Sequence, residues 1–427
     1  MIKIIQNSTE ISLKRSVEAG TEGQRKAVLD IIEAVKNQGD QALFGYTAQF
    51  DRAKLSSLQV TSEEIQKAYE LVDEQVLNAL KSAMKNIQSF HEKQKRNSWL
   101  QPEESGTILG QLIRPLHRVG VYVPGGTAPL VSTVLMNVIP AKIAGVEEIA
   151  MFTPPLSDGT INPGMLVAAD LLGVNEIYKV GGAQAIAAAA YGTESIAPVD
   201  KIVGPGNIYV ALAKREVFGL VDIDMIAGPS DIVVLADQNQ NPSYIAADLL
   251  SQAEHDTRSA VVCVTNSKEL AEKIQQEVER QVEQLPRRDI ARAALEGYGA
   301  IYVTETLDEA VDVVNQLAPE HLEVLVESPF DWVGKIKNAG AIFLGEYSTE
   351  PVGDYFAGPN HVLPTNGTSR FSSPLSVDDF VKKSSLIYYS KNDLMQHADQ
   401  IMTLARYEGL EAHARAIQVR VEKESGK

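Results

Sequence analysis

The chain has 427 residues, a net charge of -17, and a composition that is 44% hydrophobic and 22% charged. This length suffices for about two or three domains. The acidity disfavours nonspecific binding to nucleic acid or an anionic membrane, and no apolar, charge-free run reaches the ~18 residues of a membrane span. The amino-terminal MIKIIQNSTEISLKRS lacks a signal-peptide apolar centre and the single Cys263 has no internal disulfide partner, so the expectation is a cytoplasmic protein with neither nucleic acid nor membrane as partner.

In chain order, EGQRKAVLDIIEAVK (22–36) recurs apolar at helical spacing. Thr61 with Glu64 forms a capping-box signature, and Ile65, Ala68, Val72, Val76, Leu80, Ala83 and Ile87 then trace one helical stripe toward His91. The run HEKQKR (91–96) reads as a solvated helix end rather than a nucleic-acid site. From about residue 110 the texture changes. VGVYVPGG, EEIAMFTPP, NEIYKVGG and DKIVGPG each read as a buried strand, three of them running into a glycine turn, with helical segments between them. Strand, turn, helix, strand is the pattern of parallel α/β architecture. DIVVLAD (231–237) is a further strand, and 241–256 reads as a helix with Pro242 near its start. A second α/β series follows: AVVCVTNS, a helix over 267–285, AIYVTET, LDEAVDVVNQLAP, HLEVLVE and GAIFLG. Residues 346–374 are dense in Gly, Pro, Ser, Thr and Asn without periodicity, and a loop that long is usually functional. The chain closes on a helical tail containing YEGLEAHAR.

The glycine turns YVPGG, VGGAQA and GPGN follow predicted strands, where open parallel sheets usually bind ligands. Their N–H groups could receive phosphates, or the glycines could serve tight turning alone. In SQAEHD, Gln252 and His255 stand i and i+3 on a predicted helix and share a face. Imidazole suits zinc and glutamine is an unusual ligand, so spacing leaves both a satisfied polar pair and half of a metal site open. Asp354 and His361 lie in GDYFAGPNH, Glu320 and His321 are adjacent in APEHLEV, and Glu408 and His413 lie in the tail. Only folding could join these pairs. Cys263, inside the apolar AVVCVT, reads as packing rather than as a nucleophile.

The stretches RPLHRVGVYVPGG, KVGGAQAIAA, VGPGN, MIAGPSD, LLSQAEHD, APEHLEV, GDYFAGPNHVLPT and YEGLEAH, taken together and in this order, resemble the histidinol dehydrogenase family over nearly the whole chain. The resemblance implies oxidation of L-histidinol through L-histidinal to L-histidine, the last steps of histidine biosynthesis, with two NAD reduced and one zinc per active site. It implies Gln252, His255, Asp354 and His413 as zinc ligands, and Glu320 and His321 as the catalytic pair. The implied substrate contacts are Ser230, Gln252, His255, His321, Asp354, His361, Glu408 and His413. The implied nucleotide contacts are Tyr122, Gln184 and Asn207. It further implies a homodimer with intertwined subunits, in which the tail completes the partner's site. Two other readings stay open: a zinc-holding α/β protein without catalysis, and an enzyme that oxidises another polyol or amino alcohol on the same scaffold. The presence of Glu320, His321 and all four ligands argues against the first.

The expected fold is α/β, with two Rossmann-like parallel-sheet domains and helical extensions at both ends. The expected divisions are a mostly helical 1–109, a first Rossmann-like domain over 110–237, a second over 238–375, and a tail over 376–427.

Overall fold

The computed structural model describes residues 2–6, 20–125 and 129–424. A short strand β1 (Lys3–Gln6) precedes helices α1 (Glu22–Gln38), α2 (Asp40–Tyr46), α3 (Ser62–Leu71) and α4 (Glu74–Glu92), then strands β2 (Trp99–Pro102) and β3 (Ile108–Pro115). The first alternating series is β4 (Arg118–Tyr122), α5 (Val131–Ala144), β5 (Glu148–Phe152), α6 (Pro163–Leu171), β6 (Glu176–Tyr178), α7 (Gly182–Tyr191), β7 (Lys201–Val203), α8 (Ile208–Val217) and β8 (Asp222–Ile223). The second is β9 (Asp231–Ala236), α9 (Pro242–Ala253), β10 (Ala260–Thr265), α10 (Lys268–Val282), α11 (Arg288–Tyr298), β11 (Gly299–Val303), α12 (Leu307–Leu317), β12 (His321–Leu325), β13 (Ala341–Leu344) and the single turn α13 (Glu350–Val352). β14 (Val381–Tyr388), α14 (Lys391–Tyr407) and α15 (Glu411–Glu424) close the chain.

The described residues fall into two compact units, those within 1–94 and 116–380 and those within 95–115 and 381–427. The first unit contains both parallel sheets, ordered β6-β5-β4-β7-β8 and β1-β11-β10-β9-β12-β13. Counted along each alternating series, both run 3-2-1-4-5, the doubly wound order, with β1 added outside β11 in the second. The expected pair of Rossmann-like sheets with terminal extensions is therefore present.

Burial explains the parallel sheets. All residues of β4, β9 and β10 are buried, as helices on both faces require. Alternate side chains feed opposite cores. Val119 and Val121 pack with α5 and α6, while Tyr122 and Phe152 pack with α1 and α7. In the second sheet Ile232, Val234 and Cys263 face α9 to α11, and Val233, Val262 and Val264 face α12.

Several expectations are corrected. The capping box Thr61–Glu64 is formed, but the stripe belongs to two helices. Val72 turns extended and Asp73 caps a new helix by accepting from the Gln75 N–H. Val76 is consequently exposed, whereas Ala68, Ala83 and Ile87 are buried. His91 is fully buried rather than solvated, and its Nδ1 lies 2.7 Å from Gln94 Oε1. The helix expected to reach residue 256 ends at Ala253. Strand β1 and helix α11 have no counterpart in the sequence reading; β1 pairs in parallel with β11, Lys3 opposite Ala300.

The second unit is an antiparallel sheet, β14-β3-β2, in which Val381 opposes Pro115 and Trp99 opposes Gln111, followed by α14 and α15. The tail is not one helix through YEGLEAH. It breaks at Gly409, whose φ of 74 is left-handed, so Glu408 ends α14 and His413 sits in the first turn of α15. No described helix is long and apolar enough to cross a membrane.

Candidate active site

Three residues meet at the amino ends of β9 and β12. Asp231 begins β9 and His321 begins β12, with Glu320 just before it. The chain reaches this point through a sharp turn: α12 is capped by left-handed Ala318 (φ 51), and Pro319 then redirects the backbone into the sheet. β13 approaches so closely here that a Cβ on Gly340 would lie 2.5 Å from the Glu320 carbonyl oxygen, so glycine is required. The Glu320 N–H donates to Asp231 Oδ1 at 2.7 Å, and the Asp231 N–H donates to Glu320 Oε2 at 3.0 Å. His321 Nδ1 lies 3.1 Å from the Asp231 carbonyl oxygen, which assigns the proton to Nδ1. Nε2 is then the free ring nitrogen. It is buried, makes no hydrogen bond, and lies 3.5 Å from Asp354 Oδ1.

Asp354 comes from the turn after α13, and its backbone carbonyl accepts from His361 Nδ1 at 3.0 Å. The other nitrogen of His361 lies 3.3 Å from the Thr133 hydroxyl on α5. Gln252, fully buried, occupies the last turn of α9, with the exposed His255 just beyond it. Hydrogen bonding decides how the Gln252 amide is turned. One end faces both carboxylate oxygens of Glu350, at 2.7 and 3.2 Å, and is therefore the nitrogen. The other end, the oxygen, lies 3.4 Å from His255 Nδ1. Beside Asp354 opens a cleft of about 600 Å3, lined by Phe90, Phe343, Val352, Asn360 and Leu363 among others. That size suits a small-molecule site.

The electrostatics are those of crowded carboxyls. Burial pushes Glu320 up to about 8, Glu323 up to about 9 and Glu350 up to about 7. Burial alone would lower His321, but Glu350, Glu320 and Asp354 outweigh it and hold the imidazole well above its usual value. Buried acids crowded in this way either hold protons or gather around a cation. The donor set fits zinc: ligand atoms of His321, Glu350 and Asp354 lie within 4.8 Å of one another, an unpartnered imidazole nitrogen is aimed at Asp354, and an amide oxygen stands close by. Cys263 is buried inside β10, among apolar side chains.

The remaining expected residues are dispersed. Ser230 is the partly buried residue before β9. Tyr122 ends β4, at the switch point of the first sheet between β4 and β7. It is buried, and its hydroxyl accepts from the Gly182 N–H at 3.0 Å. Gln184, also buried, follows in the first turn of α7, and its Oε1 makes no hydrogen bond. Asn207 caps α8 by accepting from the N–H groups of Tyr209 and Val210. Gly204 (φ 108) admits no side chain, since a Cβ would run into the Tyr122 carbonyl. A buried pair, Lys214 and Asp224, fixes that turn through the Gly204 carbonyl and N–H. Gly126 of the YVPGG turn lies outside the described residues. Glu408 and His413 are exposed on the second unit.

A family model for histidinol dehydrogenase matches residues 14–421. The chain belongs to the histidinol dehydrogenase family. It is 65% identical to a histidinol dehydrogenase of Geobacillus kaustophilus over 413 residues, 97% of each chain. It is 62% identical to that of Bacillus subtilis over 419 residues, 98% of each. The crystal structure of histidinol dehydrogenase from Elizabethkingia anophelis matches with a TM-score of 0.94 at 40% identity, covering 99% of both chains. Family membership leaves three neighbours of the site to be found by folding alone: Asp231, which engages both Glu320 and His321; Thr133, beside His361; and Glu350, against Gln252. Only Asp231 carried a signal, as an acid opening an apolar strand within MIAGPSD.

Proposed function

We propose that the protein oxidises L-histidinol to L-histidine by way of L-histidinal, reducing two NAD, in the last steps of histidine biosynthesis. The observation that carries this reading is the adjacent pair Glu320 and His321, both buried, with His321 Nε2 aimed at Asp354. One carbon must lose two hydrides in succession, and two neighbouring bases can serve it in turn.

In this reading Gln252, His255, Asp354 and His413 hold the zinc. Ser230, His321, His361 and Glu408 complete the substrate contacts, together with those ligands. When bound, zinc would supply a Lewis acid that orients the substrate, and its charge would offset the carboxylates gathered around His321. His321 takes the alcohol proton as the first hydride leaves the carbinol carbon for NAD. The aldehyde stays bound. Glu320 accepts a proton from water as the water oxygen bonds to the aldehyde carbon, and His321 returns its proton to the aldehyde oxygen, which gives the hydrate and frees the imidazole to act again. His321 then takes a hydroxyl proton of the hydrate as the second hydride leaves, and the carboxylic acid results. Tyr122, Gln184 and Asn207 contact the nucleotide at the switch point of the first sheet.

The functional division follows the chain: nucleotide turns in 110–237, metal helix and loop in 238–375, a mostly helical region in 1–109, and a tail over 376–427 that completes the partner's site in an intertwined homodimer. Trp99, Leu100, Ile387, Tyr388, Leu404 and Tyr407, all on the second unit, are large, apolar and exposed, which favours a partner chain there.

The test is NADH formation by zinc-loaded protein from L-histidinol against simple alcohols lacking the imidazole. Turnover of L-histidinol alone is expected. Comparable kcat/KM for a simple primary alcohol would contradict the reading.

A further inference from the structure

A glutamine at a metal site has an orientation problem. Its amide is almost symmetric in shape, but one face presents an oxygen that can ligate a cation and the other presents N–H groups that repel it. Something must choose between them. Glu350 stands where that choice is made. It is 2% exposed at the start of α13, and its backbone N–H donates to Glu323 Oε1 at 2.8 Å, tying it to the strand that carries His321. Both of its oxygens face donors. The Gln252 amide nitrogen lies 2.7 Å from Oε1 and 3.2 Å from Oε2, and the Ser251 hydroxyl donates to Oε2 at 3.2 Å. The Glu350 oxygen at 2.7 Å accepts from the amide, so the nitrogen end of Gln252 is held toward Glu350 and the oxygen end is turned toward His255.

We propose that Glu350 is the positioning residue of Gln252, setting which face of the amide meets the metal; this rests on the reading of Gln252 as a zinc ligand. The rival role is direct ligation, because ligand atoms of Glu350, His321 and Asp354 lie within 4.8 Å of one another. The geometry favours positioning, since both Glu350 oxygens already face donors of its own chain.

The test is a double-mutant cycle read by zinc affinity. Full-length protein is stripped of metal, titrated with zinc against a chromophoric chelator, and examined in parallel with cobalt(II) for its visible absorption. Gln252→Ala should weaken zinc binding, and Glu350→Ala should weaken it about 10- to 100-fold, the range for a residue that orients a ligand. The double variant should bind no more weakly than Gln252→Ala alone, because Glu350 acts only through Gln252. Glu350→Gln, whose amide oxygen can still accept from Gln252, should recover most of the affinity and the wild-type cobalt spectrum; it also serves if Glu350→Ala does not fold. Losses that multiply in the double variant would make Glu350 a ligand in its own right and overturn the proposal. So would a Glu350→Ala protein, or a Glu350→Gln protein if the former does not fold, whose zinc affinity and cobalt spectrum stay unchanged while Gln252→Ala is impaired. An unimpaired Gln252→Ala would instead remove Gln252 from the ligand set, and the positioning role would fall with it.

Discussion

Asp231 and Glu320 hold each other by reciprocal hydrogen bonds across neighbouring strands, each backbone N–H donating to the other's carboxylate, at 2.7 and 3.0 Å. The second Asp231 oxygen accepts from the Asn366 N–H at 3.1 Å. Asp231→Ala would leave these two N–H groups without acceptors, at about 1–3 kcal/mol for each buried donor. Chemical denaturation should therefore show a loss of about 2–6 kcal/mol. Asp231→Asn, which keeps one acceptor oxygen, should lose less. Equal stability of Asp231→Ala and wild type would show that the pair is not held as described.

The two bases should separate genetically. Water activation is needed only for aldehyde oxidation, so Glu320→Gln should impair the step from histidinal more than the step from histidinol. His321→Asn should impair both. Single-turnover NADH formation from each substrate distinguishes them, and equal impairment of the two steps by Glu320→Gln would remove its assigned role.

Cys263 should be chemically silent in the folded protein. Burial pushes its thiol up to about 12, so the thiolate that reacts with disulfide reagents is scarce at pH 8 and becomes available only on unfolding, when the value falls back to its ordinary range. A chromogenic thiol reagent should label it at the rate of unfolding, and Cys263→Ser should keep most activity. A loss of turnover on the order of a thousandfold, with fold and zinc content intact, would point to a covalent thiohemiacetal instead.

The tail should act across the dimer. If Glu408 and His413 complete the partner's site, mixing inactive His413→Ala with inactive His321→Asn after dissociation gives heterodimers with one intact site. Random assortment restores roughly a quarter of wild-type activity for a symmetric dimer. Heterodimers that stay inactive, with a wild-type mixing control that recovers, would place His413 in its own subunit's site or make the two sites interdependent.

The sequence made the two sheets legible because their strands are continuous apolar runs ending in turns, and parallel pairing buries both faces. It did not reveal β1, whose four residues become a strand only against β11, far along the chain. The break between α3 and α4 had a readable cause, the Asp73 cap, but the apolar stripe ran on through it and obscured the signal. The chemistry was partly legible: adjacent Glu320 and His321 at a helix-to-strand turn, and Gln252 near His255 at a helix end. The switch-point rule points to the region of Tyr122 but not to the proposed catalytic pair Glu320 and His321, which lies at the amino ends of β9 and β12 rather than the carboxyl ends. Glu350 was hidden because STEPVGD reads only as a turn, and nothing local ties it to a residue on α9.

The central claim is that one site removes four electrons from one carbon without releasing the aldehyde. The most direct measurement is the ratio of NADH formed to L-histidinol consumed at completion, with the products resolved by chromatography. The account predicts two NADH per substrate and L-histidine as the product. A ratio of one, with the aldehyde accumulating in solution, would contradict it.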